Sequence, residues 1–136
     1  LQDETLYVWK CYKRSRATID THAKKVKRII GKREIEACSC DPAAAGDRRV
    51  LREKLDLPMK KAKKNVLEGI QAVTLAVERG QLVVDEGCKD LLAEWGSYEW
   101  SEDRHGFAKE SPKKENDDLL DALRYGVYWL RKRSYL

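Results

Sequence analysis

From residue 34 to the C-terminus, the sequence alternates short apolar runs with longer amphipathic segments. The runs EIEACSC and QLVV are short and apolar, as buried strands are. NVLEGIQAVTLAVERG instead places Val66, Ile70, Val73 and Val77 on one helical face, with Gly80 as a C-cap. Because strands that alternate with helices are joined by crossover connections, this pattern predicts an α/β domain with a largely parallel sheet.

The other segments add further elements to this domain. TLYVWKCY predicts a strand, and TIDTHAKKVKRII predicts a helix with Thr18 as its N-cap. DRRVLREKL and GCKDLLAEWGSY predict helices, DLPMKKAKK predicts a strand that leads into a basic loop, and YEW with FAKE predicts a hairpin around a glycine turn. We expect the last helix to bury its apolar side chains, which are Leu119, Leu120, Leu123, Val127 and Leu130.

Length and composition narrow the class of protein. A chain of 136 residues is long enough for one domain with a single core, and its net charge of +5 suits contact with a polyanion without requiring it. No apolar run is as long as a membrane span and no signal peptide is evident, so we expect an intracellular protein.

The four cysteines form no C-x-x-C pair, and we interpret them as buried reduced thiols. The sequence has no G-x-x-x-x-G-K-[ST] loop, so we expect no ATPase chemistry.

Three aspartates lie at the start of the last helical segment, NDDLLDALRYGVYWLRKR. On a helix, Asp117, Asp118 and Asp121 share one side and the leucines occupy the other. Capping of the helix N-terminus accounts well for Asp117, partly for Asp118 and poorly for Asp121. Carboxylates this close together repel one another unless a cation compensates, and such hard oxygen ligands suit Mg²⁺ or Mn²⁺. The helix start is therefore a candidate metal site.

Asp41 is a second candidate, because it directly follows the strand-like run EIEACSC. Ligand crevices in open α/β sheets lie at the carboxyl ends of strands. Pro42 and the small residues at 43–46 leave the space around Asp41 uncrowded. The alternative is a simple turn, or an N-cap for the helix that starts near Asp47, and Asp41 alone favours that alternative.

A third feature is basic. Four lysines are clustered in a predicted loop before the clearest helix: Lys60, Lys61, Lys63 and Lys64. Most clusters of this kind are solvated faces, and only a minority contact phosphate. The two histidines, His22 and His105, have no convincing partner in the sequence, and we assign them no catalytic role.

Several blocks, taken in order, resemble the C-terminal nuclease domain of phage terminase large subunits. They are DPAAAGDRRVLREKL, KKAKKNVLEGIQAV, GQLVVDEGCKDLLAEW, YEW and NDDLLDALRYGV, and the similarity covers roughly residues 5–130. Each block alone is weakly specific, whereas their order and spacing together are fairly specific. The ending D-x-L-D-A-L-R-Y is the most specific piece.

The resemblance implies an α/β fold of the RNase H-like type, with a central mixed sheet flanked by helices. It further implies an endonuclease that cuts concatemeric viral DNA with two divalent ions, Mg²⁺ or Mn²⁺, which activate water and stabilise the leaving oxygen. Carried over by motif, Asp41 matches the acid after the second conserved strand, Asp121 matches the acid of the D-A-L-R-Y helix, and Asp118 falls where relatives often have His or Asp. Asp117 is a further candidate metal ligand, and the Lys60–Lys64 cluster is the candidate DNA contact.

The same resemblance implies double-stranded DNA, the terminase small subunit and the portal protein as partners, with no membrane, in the cytoplasm of the infected host. The family's first strand carries another catalytic aspartate, and Asp3 lacks that context. We therefore expect a single nuclease domain, 1–136, that is incomplete at its N-terminus and has no ATPase domain. Two alternatives stay open: another RNase H-like nuclease such as a resolvase, and a non-catalytic DNA-binding or portal-docking module.

Overall fold

The structure is a computed structural model that describes residues 3–97, 100–102, 108–112 and 117–136, with side chains described for residues 3–97 and 117–136. This part of the chain contains five helices and six short strands, which alternate except where the fifth and sixth strands follow each other. Two compact units divide the chain: one joins Leu1–Lys13 to Lys64–Leu136, and the other is Arg14–Lys63. Each unit contains one pair of parallel strands.

In the first unit, strand β1 (Leu6–Val8) pairs in parallel with β4 (Leu82–Val84). Three helices accompany this pair: α3 (Val66–Glu78), α4 (Lys89–Ser97) and α5 (Asp118–Lys132). The predicted hairpin is confirmed, because β5 (Trp100–Glu102) pairs antiparallel with β6 (Ala108–Pro112). The predicted glycine turn between these strands lies outside the described residues.

The centre of the first unit is the contact between α3 and α5. Ala72, Ala76 and Val127 form a buried cluster, and Ala76 and Val127 have no exposed surface. Alanines at this contact let the two helix backbones approach closely, so that Val127 fills the space between them. Half-buried apolar side chains pack around the cluster, namely Leu6, Val73, Leu82, Leu123 and Leu136.

The predicted apolar faces of these two helices are partly wrong. In α3 the buried face runs through Gly69, Ala72 and Ala76, whereas Val77 is 47% exposed. The sequence pattern weighted the large valines, but close helix packing selects the small residues. In α5 the predicted leucines are only half-buried, and Val127 is the one member of the predicted apolar set that is buried. The helix also buries Arg124, Tyr125 and Tyr128.

The second unit contains α1 (Ile19–Ile30), β2 (Cys38–Cys40), α2 (Ala45–Leu55) and β3 (Met59–Lys61). The N-cap predicted for α1 is confirmed, because the Thr18 hydroxyl accepts a hydrogen bond from the amide of Thr21 at 3.2 Å. Strands β2 and β3 pair in parallel. Helices α1 and α2 contact each other, and Lys54 forms an ion pair with Asp20.

The strands are shorter than predicted, with three residues in each parallel partner. β2 includes both Cys38 and Cys40, but these side chains are half-buried rather than buried. All four cysteines are free thiols. Burial and the neighbouring Cys88 raise the pKa of the Cys11 thiol to about 12, so this thiol stays protonated and unreactive at neutral pH.

The packing at the α3–α5 contact predicts how two valine substitutions change the free energy of unfolding. Val127→Ala removes two methyl groups from a fully buried position and should lower the free energy of unfolding by about 2 kcal/mol. Val77→Ala is the matched control, because the same change at a half-exposed position of α3 should alter it by less than about 0.5 kcal/mol. Urea unfolding of both variants measures the difference, and equal effects would contradict the packing described here.

Candidate active site

The start of α5 is capped by a side chain from another helix. Asp117 occupies the N-cap position but makes no side-chain capping hydrogen bond. Instead, Oε2 of Glu94 in α4 accepts hydrogen bonds from the amides of Leu119 at 2.8 Å and Leu120 at 3.0 Å. These are the second and third amides of the helix, which N-cap side chains usually satisfy. The predicted capping role of the Asp117 side chain is therefore wrong.

Lys13 joins the Glu94 carboxylate to Asp118. Its Nζ donates to Oε1 of Glu94 at 2.7 Å and lies 3.6 Å from Oδ2 of Asp118. The hydrogen bond to Glu94 raises the pKa of the Lys13 ammonium above its usual value, and Asp118 adds to the effect. Lys13 therefore stays a cation beside two carboxylates, which reduces the repulsion between them.

Asp121 is held by a buried guanidinium one turn further along α5. Nη2 of Arg124 donates to Oδ1 of Asp121 at 2.8 Å, and the side chain of Arg124 is only 5% exposed. The stem of Arg124 crosses α3 at Gly69, where an added Cβ would lie 2.5 Å from Cγ and 2.8 Å from Cδ. Gly69 thus leaves the room that Arg124 needs, and Arg124 in turn orients Asp121.

The three aspartates of the helix start differ in access to solvent. The side chain of Asp118 is 81% exposed and that of Asp121 is 18% exposed. Asp117 as a whole residue is 5% exposed, and its carbonyl accepts the amide of Asp121 at 2.8 Å. Among the residues whose side chains are described, no group of three or more His, Cys, Asp or Glu side chains is close enough together to hold a metal ion. Asp118 and Asp121 occupy neighbouring helical positions, with Asp118 exposed and Asp121 half-buried.

Asp41 lies where the sequence placed it, directly after β2 at the carboxyl end of the strand. Its Oδ1 accepts the amide of Ala43 at 2.7 Å, and its carbonyl accepts the amide of Ala44 at 3.1 Å and Nη1 of Arg48 at 3.2 Å. Asp41 therefore shapes the turn that leads into α2, as the simpler alternative predicted, and its residue is exposed to solvent.

The four predicted lysines are all exposed but do not form one loop. Lys60 and Lys61 lie in β3, where successive side chains point to opposite faces, and Lys63 and Lys64 follow the strand. The prediction of a lysine cluster in a loop is therefore wrong for its first half, because pairing with β2 extends the strand through Lys61.

Three charged residues of this site were not predicted from the sequence: Glu94, Arg124 and Lys13. Both Glu94 and Arg124 are only 4% exposed, and each lies on the buried face of its helix. Glu94 is three residues from the buried Leu91, and Arg124 is three residues from the buried Val127. A charged residue at a helical spacing that otherwise carries apolar side chains was the available signal. Nothing in the sequence near Lys13 indicates its contact with α4.

The fold and these side chains define an α/β domain in which the last helix presents acidic side chains that buried charged residues hold in place. The family described as "Terminase RNaseH-like domain" matches residues 1–128, and the chain belongs to this family. The large terminase subunit of Escherichia phage T5 is 30% identical over 128 residues, which cover 92% of this chain and 29% of that protein.

Solved structures agree with this family. The large terminase of a thermophilic bacteriophage has a TM-score of 0.84 and 28% identity, over 96% of this chain and 35% of that one. The nuclease domain of the SPP1 large terminase, solved with bound Mn, has a TM-score of 0.64 and 14% identity, over 91% of this chain and 71% of that one. The predicted RNase H-like fold and the resemblance to terminases are confirmed. The chain spans about three-tenths of the T5 protein and about a third of the thermophilic phage protein.

The close approach of Arg124 to Gly69 can be tested with two glycines of helices. Gly→Ala in a helix interior usually stabilises by up to about 1 kcal/mol, and Gly126 in α5 has nothing within 4 Å of an added Cβ. Gly126→Ala should therefore gain stability. Gly69→Ala must displace the Arg124 stem and should lose about 1–3 kcal/mol. Urea unfolding measures both variants, and a gain at Gly69 equal to that at Gly126 would contradict the contact.

Proposed function

We propose that this chain is a metal-dependent DNA endonuclease domain of a phage terminase large subunit, cutting concatemeric DNA by phosphodiester hydrolysis. The observation that supports it best is the cap supplied by Glu94. Because Glu94 satisfies the helix amides, Asp118 and Asp121 are not consumed as caps and two neighbouring carboxylates remain at the helix start. Lys13 and Arg124 offset part of their mutual repulsion, and a divalent ion at the helix start would offset more of it.

The residues fit a divalent ion in their chemistry. Carboxylate oxygens are the ligands that Mg²⁺ and Mn²⁺ prefer, and the SPP1 nuclease domain was solved with Mn. We propose that Asp118 and Asp121 hold such an ion, with Asp117 as a further candidate. A pair of bound ions would supply activated water and stabilise the leaving oxygen. In this arrangement, Arg124 fixes the direction of the Asp121 carboxylate, while Asp118 presents its oxygens to solvent.

Asp41 and the four lysines complete the proposal. Asp41 follows β2 at the carboxyl end of the strand, and the resemblance assigns it as a shared metal ligand. The exposed lysines at 60, 61, 63 and 64 are proposed to contact DNA phosphates. The family match runs across both compact units, which supports treating residues 1–136 as one nuclease domain.

The proposal also covers the substrate, the partners and the cellular location of the whole protein. By the resemblance, its substrate is double-stranded DNA, its partners are the terminase small subunit and the portal protein, and it acts in the cytoplasm of the infected host. Within the described part of the chain, no helix is both long and apolar enough to cross a membrane. If a further acidic ligand of the family lies outside residues 1–136, the chain tested alone would bind metal weakly and cut poorly.

A second candidate function is a non-catalytic DNA-binding or portal-docking module with the same fold. The observation in its favour is that no group of three metal-binding side chains is assembled among the described residues. The resolvase alternative has less support, since the matched family and the solved relatives are terminases.

Plasmid cleavage separates these candidates. Incubated with Mn²⁺ or Mg²⁺, the chain should nick supercoiled DNA, and Asp121→Ala, Asp118→Ala and Asp41→Ala should each lower the rate by about a hundredfold or more because each removes a proposed metal ligand. Nicking that survives Asp121→Ala would overturn the assignment. The absence of cleavage in every version, with DNA still bound in a gel-shift assay, would favour the non-catalytic module.

Asp85→Ala is the matched control for Asp41→Ala. Asp85 also follows a strand directly, is exposed, and accepts an amide hydrogen bond from two residues further on, from Gly87 at 2.7 Å. Loss of the turn alone should therefore affect both variants alike. We expect Asp85→Ala to keep its cleavage rate, so a loss confined to Asp41→Ala would reflect metal binding rather than a damaged turn.

A further inference from the structure

Glu94 is a buried carboxylate in a place where an apolar side chain would be expected. It is 4% exposed and shares the buried face of α4 with Leu91. A buried charge is costly unless hydrogen bonds and an opposite charge satisfy it. Glu94 has both: Oε2 accepts two amides of α5, and Oε1 accepts the ammonium of Lys13. A fully satisfied buried acid of this kind fixes the groups around it in one arrangement.

The groups that Glu94 fixes include the backbone that carries the proposed metal ligands. Its two amide partners, Leu119 and Leu120, lie between Asp118 and Asp121 in the sequence. Holding these amides sets the position of the first helical turn against α4, and a helical turn sets the directions of its side chains. Through Leu119 and Leu120, Glu94 is therefore linked to the turn that carries both aspartates.

Lys13 adds a charge to this arrangement. Its ammonium is held by Glu94 at 2.7 Å and reaches to 3.6 Å from Oδ2 of Asp118, and its side chain is 31% exposed. It thus places a fixed positive charge beside the most exposed carboxylate of the helix start. A divalent ion at Asp118 would have to overcome repulsion from this ammonium or displace it.

We propose that Glu94 is a positioning residue that fixes Asp118 and Asp121 through the first turn of α5, and that Lys13 is the built-in counter-cation of Asp118. This inference rests on the proposed metal-dependent function. In this proposal, Glu94 and Lys13 change the affinity of the site for a metal ion, which a purely structural helix cap would not do.

The first test follows the helix start in the metal-free chain. Glu94→Gln keeps the shape of the side chain but removes its charge and places an amide group near the Lys13 ammonium. Amide hydrogen exchange at Leu119 and Leu120, measured by NMR, should accelerate by about tenfold, as expected for a weakened charged cap. Glu68→Gln is the matched control, because Glu68 also binds α5 but does so through Tyr128 and Lys132, far from its start. It should leave these two amides unchanged.

The second test measures, by calorimetry, the Mn²⁺ affinity of the same variants of the 136-residue chain. Glu94→Gln should bind Mn²⁺ about tenfold more weakly than Glu68→Gln, because its aspartates are less well ordered. Lys13→Met should bind Mn²⁺ several-fold more tightly, since it removes the competing positive charge, and this variant carries the test if Glu94→Gln fails to fold.

The outcomes separate this inference from the proposed function. Unchanged exchange at Leu119 and Leu120 in Glu94→Gln would overturn the positioning role, whatever the metal data show. Faster exchange with unaltered Mn²⁺ affinity would show that Glu94 is only a structural cap, and would also overturn its positioning role. Equal or weaker Mn²⁺ binding by Lys13→Met would overturn the proposed role of Lys13. If the unmodified chain binds no Mn²⁺, the proposed function fails, and so does the proposed effect of Glu94 and Lys13 on metal affinity. The exchange data would still decide whether Glu94 orders the start of α5.

Discussion

The hydrogen bonds from the start of α5 to the Glu94 carboxylate determine what the rest of the candidate site can do. A helix N-terminus needs acceptors for its first amides, and the side chain of the N-cap residue is the usual source. Here the acceptor comes from α4, so the demand is met without Asp117, Asp118 or Asp121. The same interaction joins two helices of the first unit at the point where acidic side chains gather. The positive charges that offset these carboxylates come from Lys13 beside Asp118 and from Arg124 beside Asp121.

The second constraint is the close packing of α5 on α3. Alanines in α3 bring the two helices together at Val127, and the absence of a side chain at Gly69 lets the stem of Arg124 pass between them. Arg124 then reaches Asp121 from the protein interior rather than from solvent. A guanidinium held in this way offers a directional partner that a mobile surface lysine would not. The packing of the core and the orientation of Asp121 therefore both depend on the α3–α5 contact.

Much of this architecture could be predicted from the sequence, because periodicity and capping are local. The Thr18 cap, the order of strands and helices and the hairpin all follow from neighbouring residues, and the ordered sequence blocks indicated the family. The buried face of α3 could not be predicted well, since large valines dominate its pattern while helix contact selects the smaller Ala72 and Ala76. The cap of α5 could not be predicted for a different reason. Glu94 is 25 residues from Leu119 in the sequence, and no local rule relates the two residues.

The contrast between Asp41 and Asp121 shows why sequence position alone leaves chemical roles open. Asp41 accepts the amide of Ala43, so a turn is sufficient reason for an aspartate there. Asp121 lies beyond the amides that need a cap, and it is bound by a buried arginine of the same helix. Asp121 forms an ion pair with the 5%-exposed Arg124, whereas the neighbouring Asp118 is 81% exposed. Loss of the Asp121 carboxylate would leave a buried guanidinium without this partner, so Asp121 also has a structural role. Lys13 and Arg124 already place positive charge beside Asp118 and Asp121, so position in the sequence does not by itself assign either carboxylate a chemical role.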